Sequence, residues 1–298
     1  MIILGLNYFH PDASACLIKN GKLIAAVEEE RFVRIKHFSG FPENSINFCL
    51  NFSDLKLSQV DLVALNYHPL SNLKGKISYT IKNFYKFTTL QKLIGQKNKL
   101  KNQNKLKYFL KNNNFKGKII NVDHHLSHLY SSYFLSNFQK SIGLTIDGFG
   151  DFCSMESFLC EDENIKKIKK VLFPHSLGIF YQATTQFLGF KNYGDEYKLM
   201  GLASYGDPKY LKEFSEIARF SENDYFRLNL KYFTHHTDKK FRYFFDDGLP
   251  VFNDLYSKKF IDTFGQPRKK DDLIEKKHMD IACSMQKHFE DIILNILN

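Results

Sequence analysis

The sequence predicts an α/β fold made of two related halves, each built from three strands and a helix. One observation is the pair of apolar runs Ala13–Lys19 and Lys22–Glu28 on either side of Asn20-Gly21. Asn-Gly between such runs is the strongest short hairpin signal, because both residues of the tight turn need positive φ. A second is that the order strand, polar loop, hairpin returns after residue 140, at Ile142–Ile146, Phe152–Cys160 and Ile165–Leu172. A third is the helix that closes each copy, from Phe41-Pro42-Glu43 through Leu50 and from Ser176 to Gly189. Two copies of a β-β-β-α unit facing each other across a cleft account for all three.

Taken in order, Met1–Leu6 reads as a buried strand. The loop Asn7-Tyr8-Phe9-His10-Pro11-Asp12-Ala13-Ser14 follows, and such small polar crossings expose backbone N–H groups that can hold an anion. Glu28 to His37 is charged, Leu57–Leu65 is expected as a further strand, and Lys118–Val122 as another, leading into a helix from His124. Ser176 has the character of an N-cap and Gly189 of the left-handed residue past a helix end. Between them Leu177, Phe180, Tyr181, Thr184, Phe187 and Leu188 form one apolar face. Residues 190–268 are aromatic-rich and expected to be an irregular insertion. The chain closes on an amphipathic helix carrying Ile281, Met285, Phe289, Ile292, Ile293 and Ile296. The expected domains are 1–139, a first subdomain with a lysine-rich helical insertion, and 140–298, a second subdomain that is incomplete.

Composition narrows the function classes. At 298 residues, with 43% hydrophobic and 25% charged, the chain has an ordinary globular make-up. No apolar run approaches the roughly 20 residues that span a bilayer, and the N-terminus lacks the basic start of a secretory signal. Cys16, Cys49, Cys153, Cys160 and Cys283 are scattered and odd in number, which favours reduced thiols and a cytoplasmic location. The net charge of +10 is concentrated between Asp61 and Asp123, where there are thirteen lysines and no acidic residue. Arginine is absent from that block, and its planar fork is what phosphate readers favour. A solvated helical insertion is therefore the expectation, and nucleic acid is disfavoured as a partner.

The chemistry gathers between Asn121 and Asp151. His124 and His128 are four apart, so on a helix they stand one turn above each other on one face. That is how a helix offers two imidazoles to one metal ion. Asp147 follows a β-branched run and precedes Gly148, so its carboxylate is expected at a strand end beside a tight turn. As a third, oxygen ligand it would leave an open site for one divalent cation. His125 is expected to pack beside the ligands rather than join them.

Several segments, in this order, carry a resemblance. They include His10-Pro11-Asp12-Ala13-Ser14-Ala15, Glu28-Glu29-Glu30-Arg31-Phe32 with Lys36-His37, Asp123-His124-His125-Leu126-Ser127-His128, and Asp147-Gly148-Phe149-Gly150. Ser176-Leu177-Gly178 with Tyr181, Glu196-Tyr197-Lys198-Leu199-Met200-Gly201-Leu202-Ala203-Ser204-Tyr205-Gly206, Phe264-Gly265-Gln266-Pro267-Arg268 and Asp280-Ile281-Ala282 extend it to nearly the whole chain. In these the sequence resembles the O-carbamoyltransferases of the nodulation-protein U and antibiotic-biosynthesis type. The resemblance implies an actin-like, ribonuclease-H-like fold and a metal, iron or else zinc, at His124, His128 and Asp147. It implies that carbamoyl phosphate and ATP give a carbamoyl-adenylate, whose carbamoyl group passes to a hydroxyl of a sugar or natural product. His10 and Asp12 are then the candidates for catalysis, and Ser14, Arg31, Lys36, Gly148, Gly150, Glu196 and Lys198 for substrate or phosphate binding. For Arg31 and Lys36 a solvated helix face is the alternative; for Glu196 and Lys198, an ion pair with each other.

Two departures stand out. Asp151 occupies a place where the family usually carries glutamate. The family's glycine-rich adenylate-binding segment, its later aspartate ligand and its additional C-terminal domain have no counterpart here. The expectation is an N-terminal portion, with a separately encoded C-terminal half as a possible partner, and a final helix whose apolar stripe is left exposed. The alternatives are a tRNA threonylcarbamoyl-transfer enzyme and a non-catalytic metal-binding half. The Glu196–Gly206 block favours the carbamoyltransferase over the tRNA enzyme.

Overall fold

The structure, a computed structural model, describes residues 1–82, 102–237, 244–246, 249–251 and 253–298. It divides into two compact units, Met1–Ser127 with Tyr243–Val251 and His128–Arg242 with Phe252–Asn298. The division falls inside a continuous helix, whereas the sequence places it after residue 139.

In the first unit, β1 (Ile2–Asn7), β2 (Ser14–Lys19) and β3 (Lys22–Glu28) form an antiparallel meander. Its turn is Asn20-Gly21, with φ of 52° and 78° as the dipeptide demands. β4 (Leu62–Leu65) joins parallel to β1, and β5 (Lys118–Asn121) parallel to β4, giving the order β3-β2-β1-β4-β5. This mixed five-stranded sheet is that of the actin-like, ribonuclease-H-like fold. β4 is shorter than expected, because Leu57–Gln59 is a 3-10 turn. The Gln59 side chain accepts the Lys56 N–H at 2.8 Å, a local bond that competes with strand pairing.

Helices α1 (Glu30–Val33) and α2 (Glu43–Phe52) follow the meander, and α2 buries Ile46, Cys49 and Leu50 against it. Further on come α3 (Leu73–Lys82), α4 (102–112) and α5 (His124–Tyr133). Of the lysine-rich block, Lys86, Lys92, Lys97, Lys99 and Lys101 lie outside the described residues.

Glu29 anchors α2. It is 2% exposed, between two glutamates that are not buried. Its carboxylate accepts Asn44 N–H at 3.1 Å, Asn44 Nδ2 at 2.6 Å, Ser45 N–H at 2.8 Å and Ser45 Oγ at 2.7 Å. A negative charge thus meets the unsatisfied N–H groups and the positive dipole end of the helix. Glu29→Ala should destabilise the protein by about 3 kcal/mol or more, since two helix N–H groups lose a charged acceptor. Urea unfolding checks this, and a loss below about 1 kcal/mol would contradict the assigned role.

The second unit repeats the pattern. β6 (Lys140–Gly150), β7 (Cys153–Glu161) and β8 (Asn164–Leu172) form an antiparallel meander, and α6 (Leu177–Phe187) follows. Ser176 caps α6 by accepting Ile179 N–H, and Gly189 ends it with φ 85°.

Residues 190–268 are not the irregular insertion expected. They hold α7 (Glu196–Ala203), α8 (Leu211–Ile217), the hairpin β9 (Ala218–Ser221) with β10 (Tyr225–Leu228), the pair β11 (Phe244–Asp246) with β12 (Leu249–Val251), and α9 (Lys258–Phe264). Their aromatic residues build the core of the second unit, with ring centroids 5.0 Å apart for Phe187–Phe260 and 4.9 Å for Phe214–Phe264.

The stripe of the last helix, α10 (Lys276–Leu297), is not left exposed either. Ile281, Met285 and Ile292 are buried, and Phe289, Ile293 and Ile296 pack on the same core. Helices α6, α7 and α8 of this chain supply the partner surface. The near end of α10 is pinned by Asp280, which accepts the Asp207 N–H at 2.9 Å and Lys209 Nζ at 2.8 Å. The Lys209 bond and the Asp207 N–H hold its carboxyl down at about 2.

His235 is also buried in this unit, its Nε2 2.8 Å from the Pro174 carbonyl oxygen. Burial pushes its imidazole down from the ordinary 6.5 to about 4, although the Pro174 bond acts the other way and the charges of His236 and His175 add to the fall. Between these values the unfolded chain binds a proton that the folded one does not. Stability is therefore lost as pH falls from 6.5 toward 4, by about 2 kcal/mol between pH 7 and pH 5 from this residue. His235→Gln, which keeps a donor and cannot titrate, should flatten the pH dependence of urea unfolding by that amount. An unchanged pH dependence would show that His235 is not the cause.

Candidate active site

Helix α5 is started by Asp123. Its Oδ1 accepts the His125 N–H at 3.2 Å, its carbonyl accepts the Ser127 N–H at 2.9 Å, and its Oδ2 accepts Ser71 Oγ–H at 2.6 Å. Fixing the first turn fixes the direction in which His124 and His128 point. His124 is 5% exposed and His128 54%, so one imidazole is enclosed and the other faces solvent.

The ligand atoms of His124, His128 and Asp147 lie within 4.8 Å of one another. His128 Nε2 and Asp147 Oδ2 are 3.6 Å apart. Metal–ligand bonds of about 2.0–2.1 Å in a tetrahedral site put neighbouring ligand atoms roughly 3.4 Å apart. The two-nitrogen, one-oxygen donor set, with His128 and Asp147 close to that separation, therefore suits a divalent cation.

Asp147 is not at the strand end, as the sequence suggests. β6 runs on to Gly150, and the turn comes at Asp151 and Phe152, with φ of 51° and 72°. The ladder is irregular between Ile146 and Gly150, and such a bulge re-aims a side chain. Gly148 N–H donates to Asp147 Oδ1 at 2.6 Å, leaving Oδ2 as the atom nearest His128.

Sequence reasoning missed what holds Asp147. The cap residue Ser176 donates through Oγ to the Asp147 carbonyl at 3.0 Å. Two residues on, a Cβ at Gly178 would lie 2.7 Å from Gly148 N and 2.8 Å from the Asp147 oxygen. Only glycine lets α6 approach so closely. Ser-x-Gly after a strand was the available signal, but in sequence it says cap and nothing about a ligand.

The first loop reaches the same helix. The His10 ring centroid is 5.7 Å from that of His124, and His10 Nδ1 is 3.3 Å from the Pro11 carbonyl, which makes Nε2 the basic nitrogen. Asp12 accepts from His37 Nδ1 at 2.7 Å. Ser14 lies in β2 opposite Glu28 and Asn7. Gly148 has open space where a side chain would stand, whereas Gly150 is buried opposite Cys153.

Arg31 is exposed and paired with Glu28 at 3.4 Å and Glu30 at 3.5 Å, and Lys36 is also exposed. Lys198 pairs with Asp195 at 2.7 Å. The Asp195 bond pushes the Lys198 ammonium up. Glu196 stands near Tyr181, whose phenol is raised by burial first and by the Glu196 charge second. Tyr181 donates to Gln286 Oε1 at 2.6 Å.

An uncharacterised protein of Synechocystis is 33% identical over 99% of the chain and 48% of its own length. Nodulation protein NolNO of Sinorhizobium fredii is 29% identical over 98% of the chain and 38% of its own length. The chain thus spans less than half the length of these relatives. Among solved structures, YeaZ from Pseudomonas aeruginosa aligns over 58% of this chain and 69% of its own, at 13% identity and a TM-score of 0.31. The family model described as "Carbamoyltransferase N-terminus" matches residues 2–298, and the chain belongs to that family.

Proposed function

We propose that the chain forms the N-terminal part of an O-carbamoyltransferase, which passes a carbamoyl group from carbamoyl phosphate, by way of a carbamoyl-adenylate, to a hydroxyl of a sugar or natural product. The observation that carries the proposal is the clustering of His124, His128 and Asp147, with the His10 ring against His124. In the transfer the acceptor oxygen bonds to the carbamoyl carbon as the bond to the adenylate phosphate oxygen breaks and AMP leaves. His10 Nε2 takes the hydroxyl proton, and Asp12 on the same loop orients the acceptor. His124, His128 and Asp147 would hold iron or zinc, which would polarise the carbamoyl carbonyl. Gly148, with room beside it, and Ser14 would line the substrate; Arg31 and Lys36 would meet phosphate from the exposed side. Glu196 and Lys198 would support the wall that carries Tyr181.

The rest of the relatives' length would be supplied by further sequence or a separately encoded partner. No helix among the described residues is long and apolar enough to cross a membrane, and reduced cysteines fit a cytoplasmic enzyme. The test is to give the full-length protein radiolabelled carbamoyl phosphate, ATP, a panel of sugar and natural-product alcohols, and tRNA. Label should appear as a carbamate ester on an alcohol, with AMP released. Label on tRNA would favour threonylcarbamoyl transfer, and no transfer at all would favour a non-catalytic metal-binding half.

A further inference from the structure

His37 has no part in the reaction described above, yet its position is tightly determined. Its ring donates through Nδ1 to Asp12 Oδ1 at 2.7 Å, and its backbone N–H donates to Glu30 Oε2 at 2.8 Å. Two backbone bonds bracket the pair, Phe9 N–H to the Gly40 oxygen and Ala13 N–H to the Phe38 oxygen, each at 2.9 Å. Asn7 Nδ2 closes the loop from inside, on the Pro11 and Asp12 carbonyls at 2.9 Å.

The geometry is kept at a cost. Asp12 and His37 both have left-handed backbones, with φ of 60° and 57°, and Phe9 in the same loop has 50°. Such conformations in residues other than glycine persist where the surroundings over-determine them, and they cluster at functional sites. Here both members of one side-chain pair carry them.

Exposure decides which member acts on substrate. The Asp12 side chain is 41% exposed and that of His37 22%, and His37 Nε2 has no solvent access. A base at His37 Nε2 is therefore ruled out by access, and Asp12 is the group that can reach a bound molecule. We infer that His37 is a positioning residue: it fixes the Asp12 carboxylate by donating to Oδ1, so that Oδ2 is presented to the acceptor hydroxyl beside His10. The inference rests on the carbamoyl-transfer reading of the same loop.

The test is a pair of substitutions in the full-length enzyme. His37→Asn keeps a donor near the place of Nδ1 and tolerates the left-handed backbone. His37→Gly keeps the backbone and removes the donor. His37→Gly should lower kcat by roughly 10–100-fold, as loss of a supporting hydrogen bond does at other sites. Its KM for carbamoyl phosphate and its metal content should not change, whereas His37→Asn should recover most of kcat. A purely structural role would move thermal stability in both variants and would not split kcat from KM. Normal turnover in His37→Gly, or equal loss in His37→Asn, overturns the inference and leaves the carbamoyl-transfer reading standing. A wild-type enzyme that transfers no carbamoyl group overturns both.

Discussion

His10→Asn in the full-length enzyme should slow carbamoyl transfer by roughly 10²–10⁴-fold, the usual contribution of a positioned general base. The expectation follows from three features: a ring against His124, an Nδ1 turned to the Pro11 carbonyl, and a loop tied down by Asn7. Asparagine keeps a donor toward Pro11 and fills most of the same space, so the loop should hold its shape. The fold and the metal content should therefore match wild type, with the loss confined to kcat. Single-turnover measurement with preformed carbamoyl-adenylate isolates the transfer step. Undiminished turnover in that variant would remove His10 from the mechanism and shift the proton to Asp12.

The parts of the fold legible in sequence are those fixed by local rules. Asn20-Gly21 specifies its hairpin turn, Ser176 and Gly189 bound α6, and the His-x-x-x-His spacing places two imidazoles on one helix face, all within a few residues. Residues 190–268 were opaque because their order is tertiary. Phe260 and Phe264 stand one helical turn apart on α9, but Phe214, which stacks on Phe264, lies on another helix 50 residues earlier, and no local period links the two. The stripe of α10 is plainly apolar in sequence, but its covering comes from α6, α7 and α8, far earlier in the chain.

The site shows the same limit. Glu28, Glu29 and Glu30 form one charge run in sequence, and such runs usually mark a solvated face. That Glu29 alone turns inward to cap α2 depends on where α2 begins relative to β3, which no pattern in the run encodes. Asp147 was identifiable as a ligand candidate, but the bulge that aims it and the Ser176 bond that holds it join elements 29 residues apart. His37 stood among the residues carrying the resemblance, and only its 2.7 Å contact with Asp12 gives it a role.

The proposed reaction requires one divalent cation, held by His124, His128 and Asp147. Elemental analysis of the purified chain and of His128→Ala tests it directly. His128 is largely exposed, so its removal should leave the fold intact and circular dichroism unchanged. Wild type should carry close to one equivalent of iron or zinc. The variant, reduced to one imidazole and one carboxylate, should carry almost none after dialysis against a weak chelator. Equal metal content in the two proteins would contradict the assignment of this cluster as the metal centre.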